Sequence, residues 1–357
     1  MRKFHNLSVH KIALTAGFIS FLVFLRAVSG DFVNHDDNRF VLDNPGIRHL
    51  DASMIFSALT EQFSDDYWTP LTWISFAIDY HFWGLNPVGY HLVNILLHAV
   101  NTMLVVLITD RLWNLNVDGE NRGPFGIREE SSSDSGAYLY PMALLLAGLL
   151  WGLHPLRVES VAWVAERKDV LYGMLAFCSI LFYIRDVQNL RITDNAGRRF
   201  YFISLLFFQL ALMAKPTSVF IPMLLVVADW YPFRRLEKGA LLRPLAEKIP
   251  FFILSALATV ITINKMSITS APYTYDMLSF TDRVLISGHS IVAFCRLLLL
   301  PTEIHVFNTL AKVLADPPGK GSCRHTRQGH NQRGSASGTV EIPQRRPESS
   351  HRRQNRW

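Results

Sequence analysis

The chain has 357 residues, half of them hydrophobic and only 18% charged, with a mean hydropathy of +0.18. Soluble domains carry roughly a quarter charged residues, and here the apolar residues fall in long uncharged blocks, so a soluble globular enzyme is excluded. Residues 315–357 hold nine Lys/Arg against three Asp/Glu, a surplus equal to the formal net charge of +6. The body before them is therefore balanced, and the pI near 9.3 gives no ground for nucleic-acid binding by that body.

The first apolar block, 12–25, follows Arg2, Lys3 and Lys11. No clean small-x-small cleavage site follows it, and it reads as an uncleaved anchor. Residues 31–66 are polar and acidic. Within them Asn44-Pro45-Gly46 marks a turn, and Asp51 is placed to cap a short amphipathic helix carrying Met54, Ile55, Ala58 and Leu59. The Trp- and Tyr-rich stretch 67–86 suits the headgroup level of a bilayer. Further apolar blocks follow at 88–109, 137–153, 170–184, 200–214, 216–228, 249–264 and 284–300.

Lys215-Pro216 alone separates the blocks 200–214 and 216–228. With both crossing, and the N-terminus inside, the inner segments carry fifteen Lys/Arg and the outer ones eight. That matches the tendency of Lys and Arg to stay inside. The expectation is an all-α, polytopic membrane helix bundle of about eight spans over 1–305, with an external loop at 31–87. Residues 306–357 form a separate basic segment. Its Arg-, Gly-, Ser- and Gln-rich composition reads either as disordered or as translated in a shifted frame.

Cys178 and Cys295 lie in apolar blocks and Cys323 in the basic segment, so no disulfide framework is expected. No metal-ligand, P-loop or dinucleotide motif occurs.

Four features carry potential chemistry. His35-Asp36-Asp37 places two carboxylates just beyond the first block, where mutual repulsion favours a proton acceptor; the plain alternative is a solvated acidic pair. His91, Asn94, His98 and Asn101 share one helical face in the second block. Hydrocarbon penalises such groups, so the face meets water or neighbouring helices, and interhelical hydrogen bonding is the simpler reading. The segment 154–169 contains His154, Glu159, Glu166, Arg167 and Lys168. It is expected to form a short helix with Pro155 in its first turn and Glu159, Trp163 and Glu166 on one face. Lys215 is the fourth feature, a cation at the external end of a short span.

Together these segments resemble bacterial relatives of the transmembrane and tetratricopeptide-repeat O-mannosyltransferases, within the GT-C superfamily of polytopic glycosyltransferases. The resemblance rests on Asn34-His35-Asp36-Asp37 with Asp43-Asn44-Pro45, and on Thr69-Pro70-Leu71-Thr72-Trp73. It continues through Gly84-Leu85-Asn86-Pro87, Gly89-Tyr90-His91-Leu92-Val93-Asn94, Leu97-His98, the run from His154 to Leu171, and Lys215-Pro216. It covers roughly residues 10–305.

The resemblance implies a sugar donor attached to a polyprenyl phosphate and a Ser or Thr hydroxyl of a protein as acceptor. Asp36 or Asp37 would be the catalytic base. Arg167, Lys168 and Lys215 are the cations near span ends that would meet the donor phosphate, with His91, Asn94, His98, His154, Glu159 and Glu166 as supporting polar groups. No resident metal or cofactor is implied with certainty. The partners would be membrane lipid, the lipid-linked donor and a protein acceptor, and the active face would be extracytoplasmic in a bacterial inner membrane or its equivalent. Family members continue into tetratricopeptide repeats, and the chain reads as truncated before them. The competing reading is a non-catalytic scaffold or a transporter-like remnant. A transporter predicts related halves, and none are found.

Overall fold

The computed structural model describes residues 2–33, 36–60, 67–114, 134–192, 198–236, 241–266 and 280–300. All of them fall within the first of two compact units, Met1–Leu310 and Ala311–Trp357. The second unit, and with it the basic segment, lies outside the described residues, as do Asn34 and His35.

Among the described residues the fold is all-α and contains no strand. The helices are α1 (Arg2–Phe24), α2 (Ala52–Thr60), α3 (Pro70–Trp83), α4 (Pro87–Trp113), α5 (Asp134–Gly152) and α6 (Arg157–Ala162). They continue with α7 (Arg167–Ile192), α8 (Arg199–Ala214), α9 (Ile221–Trp230), α10 (Leu242–Ala246), α11 (Ile249–Met266) and α12 (Phe280–Leu299). Local chemistry sets several starts. Asp51 Oδ1 accepts from the Met54 N–H at 2.8 Å and so caps α2, as its sequence predicts. Asn86 Oδ1 does the same for α4 from the Val88 N–H at 3.1 Å, with Pro87 in the first turn. Between α3 and α4 the chain reverses at Gly84, whose φ of 56° suits a residue without Cβ.

Four apolar stretches are long enough to cross a bilayer: Ser8–Ser29, Pro87–Trp113, Val164–Arg191 and Leu242–Lys265. Three shorter apolar helices accompany them, Tyr138–Gly152, Arg199–Ala214 and Pro216–Trp230. The chain is an integral membrane protein. Large side chains such as Phe18, Phe202, Val260 and Ile263 stay exposed on these helices, as a lipid-facing surface requires. Close approach of α1 to α4 depends on Gly17, where an added Cβ would lie 2.9 Å from the Ala99 carbonyl oxygen.

The bundle has two polar ends. At one end, Tyr183 donates to Asp229 at 2.7 Å, and Asp229 also binds Lys248 and, at 3.1 Å, Arg235. Glu247 joins Arg235 (2.7 Å) and Arg198 (2.8 Å), so α7, α8, α9 and α11 are tied together there. The other end carries Asp37, α2 and α3. There Thr72 donates to the Ala214 carbonyl at 3.0 Å, and Lys215 pairs with Asp169. Helices α8 and α9 therefore form a hairpin that leaves the Tyr183 end and returns to it, with its bend at Lys215-Pro216.

The block 284–300 behaves differently from the expected eighth span. It forms α12, which is not among the sufficiently long and apolar helices. The Leu298 carbonyl accepts from His154 Nε2 at 3.0 Å, which puts the C-terminal end of α12 at the Asp37 end.

Candidate functional site

Described residues between α1 and α4, together with Tyr90, Val164 and Ala165, form a small apolar core over one end of the bundle. Phe40, Val41, Ile47, Met54, Trp73, Phe76, Tyr90, Val164 and Ala165 are all buried in it. Fully burying side chains of this size stabilises by about 1.5–3 kcal/mol each, enough to hold a loop of this length in a defined shape. The core brings the acidic pair and the 154–169 segment together.

Asp37 is at the junction and is 0% exposed. Its Oδ2 accepts from the Val33 N–H at 2.8 Å and its Oδ1 from the Ala165 N–H at 2.7 Å. Burial pushes this carboxyl above its usual range, against the opposing pull of the two N–H donors and of nearby His91. Asp36, one position earlier, is only half-buried.

The 154–169 segment is not one helix. Residues Arg157–Ala162 form α6, Trp163 is extended (φ −89°, ψ 121°), and Val164–Glu166 make a 3-10 turn before α7 begins at Arg167. The break at Trp163 removes the expected common face of Glu159, Trp163 and Glu166, and Pro155 precedes the helix instead of lying in it. The break also frees the Ala165 N–H, which a continuous helix would have used internally, to reach Asp37.

The three expected phosphate ligands are each joined to a carboxylate. Arg167 is 0% exposed; its Nη2 lies 2.6 Å from Asp79 Oδ2 and 3.0 Å from the Tyr90 carbonyl, and its Nε donates to Asn94. Lys168 pairs with Glu166 at 2.9 Å and lies over the Phe40 ring. Lys215 pairs with Asp169, which also accepts from Ser160 at 3.3 Å.

The polar face of α4 binds its neighbours. Asn94 donates to the Trp163 carbonyl (3.1 Å) and Asn101 to the Val170 carbonyl (2.8 Å). His98 Nε2 is 2.8 Å from the Gly152 carbonyl, and its ring stacks on Trp151. His91 is buried beneath Gly30, where an added Cβ would come within 3.4 Å of Nε2. His154 Nδ1 accepts from the Leu156 N–H at 3.3 Å, which leaves Nε2 as the nitrogen that donates to Leu298. Glu159 is exposed.

The structure adds Asp79, Asp169 and Arg157 to the residues read from sequence. Asp79 had a signal: a lone carboxylate inside the aromatic helix α3 is costly unless paired. Among the described residues, no group of three or more His, Cys, Asp or Glu side chains is arranged to hold a metal ion.

Fold and site thus define an all-α membrane protein with a structured acidic loop clamped over the ends of its helices. Comparison with known sequences places that description. The chain is 29% identical to mouse "Protein O-mannosyl-transferase TMTC4" over 247 residues, 66% of this chain and 31% of the mouse protein. It is 32% identical to human "Protein O-mannosyl-transferase TMTC4" over 182 residues, and 30% identical to Drosophila melanogaster "Protein O-mannosyl-transferase Tmtc1" over 179. Each of these two matches covers 48% of this chain, and they cover 22% and 18% of the relatives. No protein-family model matches the chain, and no solved structure does. The chain is a distant relative of the TMTC O-mannosyltransferases and spans about a third or less of these relatives' length.

Proposed function

We propose that the chain carries the membrane-embedded part of a glycosyltransferase that moves a mannose-like sugar from a polyprenyl-phosphate donor to a Ser or Thr hydroxyl of protein. The observation that carries this reading is the clamp at Asp37. It fixes the acidic loop against the 154–169 segment while leaving the adjacent carboxylate, Asp36, half-buried at the edge. The relatives' names supply the transfer of mannose to protein; the site's chemistry is compatible with it.

In the proposed reaction Asp36 takes the proton of the acceptor hydroxyl as its oxygen bonds to the anomeric carbon. The bond from that carbon to the donor phosphate breaks, and the phosphate leaves with the electron pair. Asp37 positions the loop, because both of its oxygens are engaged by backbone N–H groups and an acceptor has no path to them. Arg167 likewise positions α3 and α4 against α7. Lys168 and Lys215 keep partly exposed faces and can meet the donor from their paired state.

The proposed topology has seven crossings, α1, α4, α5, α7, α8, α9 and α11, with the N-terminus inside and the Asp37 end extracytoplasmic. It is supported by the excess of Lys/Arg on the segments this places inside.

The test is transfer of radiolabelled mannose from polyprenyl-phosphate mannose to a Ser/Thr peptide in membranes expressing the chain. Incorporation that depends on Asp36 is the expected result. Insertion without any incorporation would leave the scaffold reading in its place.

A further inference from the structure

Burial strips hydration from a guanidinium, and the loss has to be repaid by an anion or by hydrogen-bond acceptors. Four cations at the Asp37 end find such a partner: Arg167, Lys168 and Lys215 through carboxylates, and Arg48 through the Val41 and Leu42 carbonyls, with Nη1 of Arg48 and of Arg167 buried beyond those contacts. Arg157 does not. Its Nε is buried without a partner, and the side chain makes no hydrogen bond or ion pair with any described residue. Asp169 is near enough to act on it through space but does not pair with it, and burial holds its proton affinity below the ordinary guanidinium level.

The side chain is nevertheless held in place. Its guanidinium carbon is stacked 4.5 Å over the Trp151 ring, which itself packs on His98 and Phe177. Trp151 is in the last turn of α5, and His154 binds the end of α12 three residues later. Arg157 is therefore a held cation with no paired carboxylate among the described residues, where two helices end, at the depth where a lipid headgroup would lie. A planar fork of this kind is matched to phosphate oxygens, which it meets in pairs.

We infer that Arg157 is the residue that binds the phosphate of a polyprenyl-phosphate lipid, with Trp151 as the platform that orients it. This deepens the proposed transferase reading and rests on it for the identity of the lipid. The phosphate-binding chemistry itself does not depend on transfer taking place.

The experiment follows quenching of tryptophan fluorescence in the detergent-purified full chain, with Trp151→Phe used to assign the signal. The probes are undecaprenyl phosphate, undecaprenol, phosphatidic acid and inorganic phosphate. Undecaprenyl phosphate should bind saturably, and undecaprenol should not. Arg157→Gln should weaken undecaprenyl-phosphate binding by roughly tenfold to a hundredfold, the loss expected for hydrogen bonds to a charged group. Arg157→Lys, which keeps the charge, should recover part of it and guards against misfolding of the Gln variant. Transfer is read separately: saturable binding by the parent without any sugar transfer counts against the proposed transferase and not against Arg157. Equal binding by the parent and Arg157→Gln would overturn the inference. So would undecaprenol binding like its phosphate, or phosphatidic acid or inorganic phosphate binding as tightly as the polyprenyl lipid.

Discussion

The carboxylate of Asp37 accepts a hydrogen bond from the backbone N–H of Ala165, 128 positions further along the chain. The proposed reaction therefore gives the two adjacent aspartates different work. Asp36→Asn should lower sugar transfer by about 10²–10⁴-fold, the usual loss of general-base action, with membrane insertion unchanged. Asp37→Asn keeps one acceptor oxygen but turns an amide N–H₂ toward a backbone donor. It should cost about 1–3 kcal/mol of stability and reduce transfer through loosening of the loop. Thermal melting in detergent beside transfer rates separates the two, and the reverse pattern would exchange their roles.

The Asp37 environment also sets a pH dependence. Burial holds this carboxyl above the ordinary value of 3.8, so the fold favours its protonated form. Its contribution to stability is full below the ordinary value and is lost as pH rises through the raised one. Melting temperatures of the parent should fall across that acidic window relative to Asp37→Asn, which has no proton to lose there. Parallel curves for the two proteins would mean that the two N–H donors balance burial, and a parent curve that rises with pH would mean that they outweigh it.

Arg167 and Asp79 form a pair with both partners withdrawn from solvent. Removing one leaves the other buried and unpaired, at a cost of about 3–5 kcal/mol. Asp79→Asn and Arg167→Met should each lower the melting temperature markedly, and Asp79→Leu combined with Arg167→Met should recover part of the loss. Single variants that melt like the parent would show the pair to be solvated in the membrane.

The proposed topology predicts opposite labelling at the two ends. In a background with Cys178, Cys295 and Cys323 replaced by Ser, Val158→Cys should react with an impermeant thiol reagent in intact cells. Leu242→Cys should react only after lysis. Both positions are exposed, so reaction of Leu242→Cys in intact cells contradicts the proposed orientation directly.

Much of this architecture was legible because a membrane simplifies the code. Long uncharged blocks announce helices, and Asp51 and Asn86 mark helix starts through purely local chemistry. The α4 stripe was legible in the same way, since polar groups facing hydrocarbon must find partners, and Asn94, His98 and Asn101 bind neighbouring backbone. Pairing across distance was not legible. Arg167 looked like an external cation because its partner is 88 positions earlier in an aromatic stretch, and only packing of α3 against α7 brings them together. The break at Trp163 escaped for a related reason. Its local sequence permits a continuous helix, and the Asp37 carboxylate that rewards the break belongs to another part of the chain. The end of α12 beside His154 is likewise a tertiary fact with no local signal.

The long reach of the Asp37 clamp also orders events during synthesis. A ribosome adding about 5–20 residues per second needs roughly 6–26 s to cover the 128 positions between Asp37 and its second anchor. Thr72 waits longer still for the Ala214 carbonyl, 142 positions away, and the Thr60 carbonyl waits 205 positions for Lys265. Throughout that interval the acidic loop has emerged but has nothing to close upon, and its aromatic core lacks Val164 and Ala165. The nascent chain is thus chemically incomplete until α7 arrives, and a translocation pause before that helix would leave the loop as prey for proteases and chaperones.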